Sequence, residues 1–367
     1  MKAHRNMSLK LATVAVVSAL VLAACGGGSD SASTETETAA AEESAAAAPA
    51  EETTAAESAE TAAACESLTP VTLLLDWFPN PDHVALYVTQ AKGYWEAECL
   101  EVTLQPPSDP TDPPKLVSTG NVELGVSYQP EMFFQVPAGL KIKAVAALVP
   151  TALNSMMWLE GGSINSIADL SGKTIGEPGF GSNRAYLNAI FKANNIDPST
   201  VKVVAVKTAL SQALTSGAAD AVIGAYGNIE GEQMKEQGFN PVITPVSAIG
   251  VPNYDELVII ANSDRLAAEP EYQDIVKRFL AGLAKGNADA IADPTFSEQT
   301  MAAVGGDYAG PALPLMIEAT LPLLENPLGF GQMDPASWDK FGAFMIEQEL
   351  VEAAPPAADL LTNDFLP

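Results

Sequence analysis

The stretch Val71-Thr72-Leu73-Leu74-Leu75-Asp76-Trp77-Phe78-Pro79-Asn80-Pro81-Asp82-His83, continuing through Val84 to Ala91-Lys92-Gly93, decides the fold. An unbroken β-rich apolar run ending in turn residues reads as a strand buried on both faces. The following segment His83–Ala91 reads as a helix stopped at Gly93. The same alternation recurs downstream. Val102–Leu104, Val122–Val126, Ile142–Leu148, Thr174–Gly176, Val201–Val206, Ala221–Gly224 and Leu257–Ala261 read as further buried strands, and Asn183–Ala193, Leu210–Ser216 and Ile229–Gln237 as helices between them. Alternating strands and helices predict an α/β protein with open, mostly parallel sheets covered on both faces. After Asn262 strands cease, and the long helical pattern Tyr272–Ala292 is followed by a Pro-rich break over Gly310–Pro335. This order predicts two lobes, residues 71–157 with 262–367 forming the first and 158–261 the second, with crossings near Ser155–Leu159 and Val258–Asn262. Ligands in such sheets collect at the carboxyl ends of strands, so the expected site is a cleft between the lobes.

Upstream, residues 26–69 are Gly-Gly-Gly followed by Ala, Glu, Thr and Ser, with no Lys, Arg or aromatic side chain. Such a composition buries too little apolar surface to offset its ordering entropy and reads as a solvated, acidic tether. Residues 1–25 read as an export signal: Lys2, Arg5 and Lys10 precede the apolar run Leu11–Ala24, which closes on Leu22-Ala23-Ala24-Cys25-Gly26. An uncharged run of about 15 residues falls short of the roughly 20 that a spanning helix needs. The tetrapeptide ending in Cys25 resembles the bacterial lipoprotein processing signal, which implies a lipidated Cys25 and a folded part held outside the membrane by its lipid alone.

A formal charge of −28, from 46 acidic and 18 basic residues, repels a nucleic-acid backbone and an anionic bilayer surface alike. For Cys65 and Cys99 two readings stand, a disulfide in an oxidising compartment or two free thiols. With only His4 and His83 in the chain, no metal site and no cofactor is predicted. Ser171-Gly172-Lys173-Thr174 fails as a P-loop because the earlier glycine position holds Ile167. Gly179-Phe180-Gly181-Ser182-Asn183-Arg184 lacks the third glycine of a dinucleotide fingerprint; as the opening of a helix it is either a cradle for a polar or anionic group or an ordinary turn. No Gly-x-Ser-x-Gly elbow accompanies the single histidine of the folded region, so nucleophilic catalysis has no support.

The string Leu75–His83, with Ala91-Lys92-Gly93-Tyr94-Trp95, Gln105-Pro106-Pro107 and Gly125-Val126-Ser127-Tyr128-Gln129-Pro130, resembles the substrate-binding proteins of ABC transporters for thiamine-pyrimidine precursors. Their wider group includes sulfonate binders and a pyrimidine-phosphate synthase, and the resemblance spans roughly residues 71–300. It implies a two-lobed type II periplasmic-binding-protein fold, monomeric, closing by a hinge on a flat heteroaromatic ring and handing it to a membrane permease. By position, Trp77 would stack on the ring, with Asn80 and His83 at the mouth; Tyr226 and Glu230, one helical turn apart, match a tyrosine and glutamate that contact the aminopyrimidine. Tyr128 and Phe180 complete the candidate ligand-binding set. Structural roles stand beside these: Trp77 as a core residue, His83 as a helix-start residue, Glu230 solvated, Tyr128 packing after its strand. Riboflavin or another flat heterocycle is the alternative cargo; sulfonate or nitrate lacks a basic cluster. The synthase branch is disfavoured, because Ser127 and Glu131 occupy the places of its lysine and histidine, and Pro252-Asn253-Tyr254-Asp255-Glu256 replaces its cysteine-rich run.

Overall fold

The computed structural model describes residues 65–367, so the predicted export signal, Cys25 and residues 26–64 of the predicted tether lie outside the described residues, while the tether's predicted end is corrected: Cys65 is in a disulfide and Thr69 opens the first strand. The first sheet holds β1 (Thr69–Leu74), β2 (Leu100–Gln105), β3 (Leu124–Ser127), β4 (Ile142–Val149) and β10 (Leu257–Asn262), in the order β2-β1-β3-β10-β4. The second holds β5 (Asn154–Leu159), β6 (Thr174–Glu177), β7 (Lys202–Ala205), β8 (Ala221–Tyr226) and β9 (Pro241–Pro245), in the order β7-β6-β8-β5-β9. The two orders are the same pattern repeated. β6 stands where β1 stands, β8 where β3 stands, and β5 where β10 stands. β1 and β6 each pair in parallel with two neighbours, whereas β10 and β5 are antiparallel to both of theirs. Four strands in each sheet therefore share one direction, and the reversed strand is the one entered from the other lobe.

That reversal corrects the predicted crossings. Asn154–Leu159 is a full strand of the second sheet and Leu257–Asn262 one of the first, so the chain crosses through residues 150–153 and returns before Leu257. The turn residues Pro150-Thr151 do separate Ser155–Leu159 from β4, but nothing in the run itself tells a connecting segment from a strand of the second sheet. β9 escapes sequence reading as well. It begins and ends on proline, which an edge strand tolerates because one row of its backbone groups has no partner in the sheet.

Local chemistry explains the first unit. Val71, Leu73 and Leu74 are buried in β1, in register with Val102 on one side and Leu124 on the other (Val71 with Val102, Leu73 with Leu124). Asn80 then caps a short turn, Pro81–His83, by accepting a bond from the Asp82 N–H, with Pro81 in the first position where its missing N–H costs nothing. The helix Val84–Ala91 follows and ends at Gly93, whose φ of +68° suits a residue without a Cβ. This helix packs on the 23-residue helix Pro270–Ala292. Their approach needs Gly286, since a Cβ there would lie 1.8 Å from Thr89 Oγ1. Trp95 stacks on Phe279 of the same long helix at 5.0 Å and donates to its carbonyl. The C-terminal segment covers the edge strand β4, Gly331 bridging Ala147 and Leu361 bridging Ala144. Cys65 and Cys99 form a disulfide that ties the start of the folded part to the turn before β2. Closing a loop over 34 residues contributes about 4 kcal/mol by chain entropy.

Candidate functional site

β1, β3, β6 and β8 all end at the same place, and each delivers an aromatic ring there. Trp77 follows β1, Tyr128 follows β3, Phe180 follows β6 and Tyr226 closes β8, so the repeated topology brings two rings from equivalent positions in each lobe. They line one cavity together with Asn80, Asp76, Asp82, Glu230, Tyr308, Gly224 and several apolar residues. Tyr128 and Phe180 meet edge to face across the lobes at 5.2 Å. The Trp77 indole N–H donates to the Tyr308 hydroxyl at 3.0 Å, which fixes the ring plane from the far C-terminal segment. Gly224 lets β8 approach, because its φ is +95° and a Cβ would meet Pro178 at 2.7 Å.

Six of the candidate residues, Trp77, Asn80, Tyr128, Phe180, Tyr226 and Glu230, thus line one cavity. His83 does not. Its side chain is wholly buried behind the cavity, Nε2 lying 2.8 Å from Asp76 Oδ1. The Asn80 N–H donates to Nδ1 at 3.3 Å, so Nε2 carries the proton and donates to Asp76. His83 orients Asp76 instead of standing at the mouth, because the capped turn folds its ring back under its own N-terminus. Tyr226 and Glu230 also correct the expectation of one helical face. Tyr226 ends a strand, Gly227–Gly231 forms a wide π-turn, and the helix runs only from Glu232 to Glu236. The Glu230 carboxylate reaches back to accept the Tyr226 N–H at 2.8 Å.

The electrostatics are one-sided. Three carboxylates, Asp76, Asp82 and Glu230, line the cavity and no Lys, Arg or His does. Asp76 also accepts from the Tyr128 hydroxyl at 2.6 Å, and burial with the neighbouring carboxylate holds that phenol well above its ordinary range, so it stays a donor. Burial pushes Glu230 up to about 6, against the pull of the Tyr226 and its own backbone N–H groups. Burial likewise raises Asp82 well above the carboxylate range, partly opposed by its bond from Asn228. The glycine loop at the start of the helix Gly181–Ala193 offers nothing to an anion. Its Ser182 N–H donates to Glu131 at 3.1 Å and its Gly179 N–H to Glu177 at 2.5 Å, so carboxylates of the chain already fill that end.

Two residues outside the candidate set tie the crossings together. Glu256, buried just before β10, accepts from the Leu153 and Asn154 N–H groups at 2.7 and 3.0 Å, and from the Tyr226 hydroxyl at 3.1 Å. It therefore binds the outgoing crossing to the returning one. Asn253 does the same a few residues earlier, accepting from the Ala152 N–H and the Thr151 hydroxyl. Among the described residues no group of three His, Cys, Asp or Glu side chains is placed to hold a metal ion, and no helix is long and apolar enough to cross a membrane.

Residues 80–297 match the NMT1/THI5-like family. The chain belongs to that family. The chain is 33% identical to the formylaminopyrimidine-binding protein of Halalkalibacterium halodurans over 83% of its own length and 92% of the relative's. At 25% identity, over 81% and 92% of the two chains, stands the 4-amino-5-hydroxymethyl-2-methylpyrimidine phosphate synthase of Legionella pneumophila. The alkanesulfonate-binding protein SsuA of Xanthomonas axonopodis superposes with a TM-score of 0.62 at 15% identity, covering 81% of this chain and 99% of that one. This likeness shows the two-lobed type II periplasmic-binding-protein fold. The chain is thus similar both to a protein named as a binder and to one named as a synthase, and chemistry at the cleft must separate the two readings.

Proposed function

We propose that this NMT1/THI5-like protein is the extracytoplasmic binding component of an ABC importer, capturing a pyrimidine precursor of thiamine between its lobes. One observation carries the reading: the cavity is walled by aromatic rings and bordered by three carboxylates with no cation among its lining residues. A flat aminopyrimidine matches both features, its face to the rings and its N–H groups to the carboxylates. A sulfonate or nitrate would meet only negative charge. The 33% identical formylaminopyrimidine binder supports the same ligand. Against a synthase, Ser127 and Glu131 offer neither a lysine amine nor an imidazole, and Glu131 is already engaged with Ser182.

The export signal and Cys25 support lipid anchoring outside the membrane, where closure on the ligand presents a lobe surface to a permease. The test is a thermal-shift titration with formylaminopyrimidine. Binding at a hundredfold excess over the dissociation constant stabilises by about 2.7 kcal/mol, a rise in Tm of about 5 °C. An unmoved Tm at millimolar ligand defeats the assignment, and mass spectrometry of small molecules released from the purified protein then names riboflavin or another heterocycle in its place.

A further inference from the structure

Of the three carboxylates on the cavity, only Asp76 has both oxygens engaged, Glu230 has one, and neither holds a fully buried oxygen without a partner. Asp76 takes His83 on one oxygen and Tyr128 on the other, and Glu230 takes the Tyr226 N–H. Asp82 differs. Its side chain is 1% exposed and lines the cavity, Oδ1 accepts from Asn228 Nδ2 at 2.7 Å, and Oδ2 has no donor among the described residues. Asn228 spends its second amide hydrogen on the Thr320 hydroxyl at 2.8 Å, so the amide cannot turn to serve Oδ2 as well. Burial favours the protonated form of this carboxyl in the free protein, and a ligand N–H brought to Oδ2 favours the ionised one; a buried acceptor left without a donor costs about 1–3 kcal/mol, so such a site discriminates between partners that supply the donor and those that do not.

We propose that Asp82 is the specificity-determining acceptor of the cleft: its Oδ2 takes a hydrogen bond from an exocyclic amino group or protonated ring nitrogen, and the pocket rejects the otherwise identical oxo heterocycle. The inference rests on the pyrimidine reading above and adds which edge of the ring is read, and by which residue. The same side chain joins the lobes. Asp82 follows β1, Asn228 follows β8, and Thr320 ends the helix Leu313–Thr320, so the unpartnered oxygen belongs to a carboxylate whose other oxygen bridges the two lobes. A ligand that satisfies Oδ2 completes that bridge.

Asp82→Asn separates the two jobs, since it keeps an oxygen for Asn228 and puts an N–H2 group where Oδ2 stood. The experiment is calorimetric titration of the parent and D82N proteins with formylaminopyrimidine and with its 4-oxo counterpart. The parent is expected to favour the amino compound by at least a hundredfold. D82N is expected to lose thirtyfold or more for the amino compound and to gain for the oxo compound, with the Tm of the free protein held within a few degrees. D82N binding the amino compound within threefold of the parent overturns the inference and leaves the pyrimidine reading standing. A parent that prefers the amino compound by less than tenfold overturns it without recourse to any variant. No binding of either compound by the parent overturns both.

Discussion

Glu230→Gln tests the electrostatics of the cleft without any ligand. Burial carries this carboxyl from its ordinary 4.5 to about 6, which corresponds to about 2 kcal/mol of unfavourable housing for the ionised form. The folded value is raised, so the stability that the protonated group contributes is fully present below 4.5 and is lost as pH rises through about 6. Glutamine carries no charge to lose, and its amide oxygen still accepts the Tyr226 N–H that Glu230 now holds. The free E230Q protein should therefore exceed the parent by about 2 kcal/mol at pH 8, about 4 °C in Tm, with the advantage largely gone at pH 4.5. Calorimetric scans of both proteins at the two pH values measure this. An equal gain at both pH values, or a lower Tm for the variant at pH 8, would refute the assignment of a strained, buried carboxylate on the pocket wall.

Two further substitutions probe the frame around the site. Glu256→Ala strips the acceptor from two backbone N–H groups and the Tyr226 hydroxyl at once, and should cost about 3 kcal/mol in urea unfolding, whereas Glu256→Gln should recover part of it. Gly286→Ala gains about 1 kcal/mol of helix propensity but drives a methyl group into Thr89, whose Oγ1 would stand 1.8 Å away and Cα 2.7 Å. A net loss of about 2 kcal/mol is expected, and Thr89→Ala in the same chain should restore little of it because the backbone remains in the way.

The aromatic walls were legible because each ring sits where a β-rich run breaks, and strand ends converge in open α/β sheets. The polar half was legible only in part: Asn80 and Glu230 were expected at the cavity, Asp76 and Asp82 were not. Which of Asp76, Asp82 and His83 faces the ligand depends on partners such as Asn228, 146 positions away, and Tyr128, 52 away. Tyr308, 231 positions from the indole it holds, lies in a stretch of Gly and Asp with no periodicity to announce it. Glu256 reads as one acidic residue among 46 acidic side chains; only the meeting of the two crossings gives it a role. The prolines bounding β9 and those opening the helix Asp112–Ser118 hid both elements, since proline marks breaks far more often than beginnings.

The hydroxyl of Tyr226 is anchored at the joint between the lobes, by way of Glu256. Any displacement of that phenol therefore acts on a lever whose short arm is the pair of connecting segments. One wall of the cleft and the joint between the lobes are thus held by a single carboxylate, and neither can shift without straining the bonds of the other.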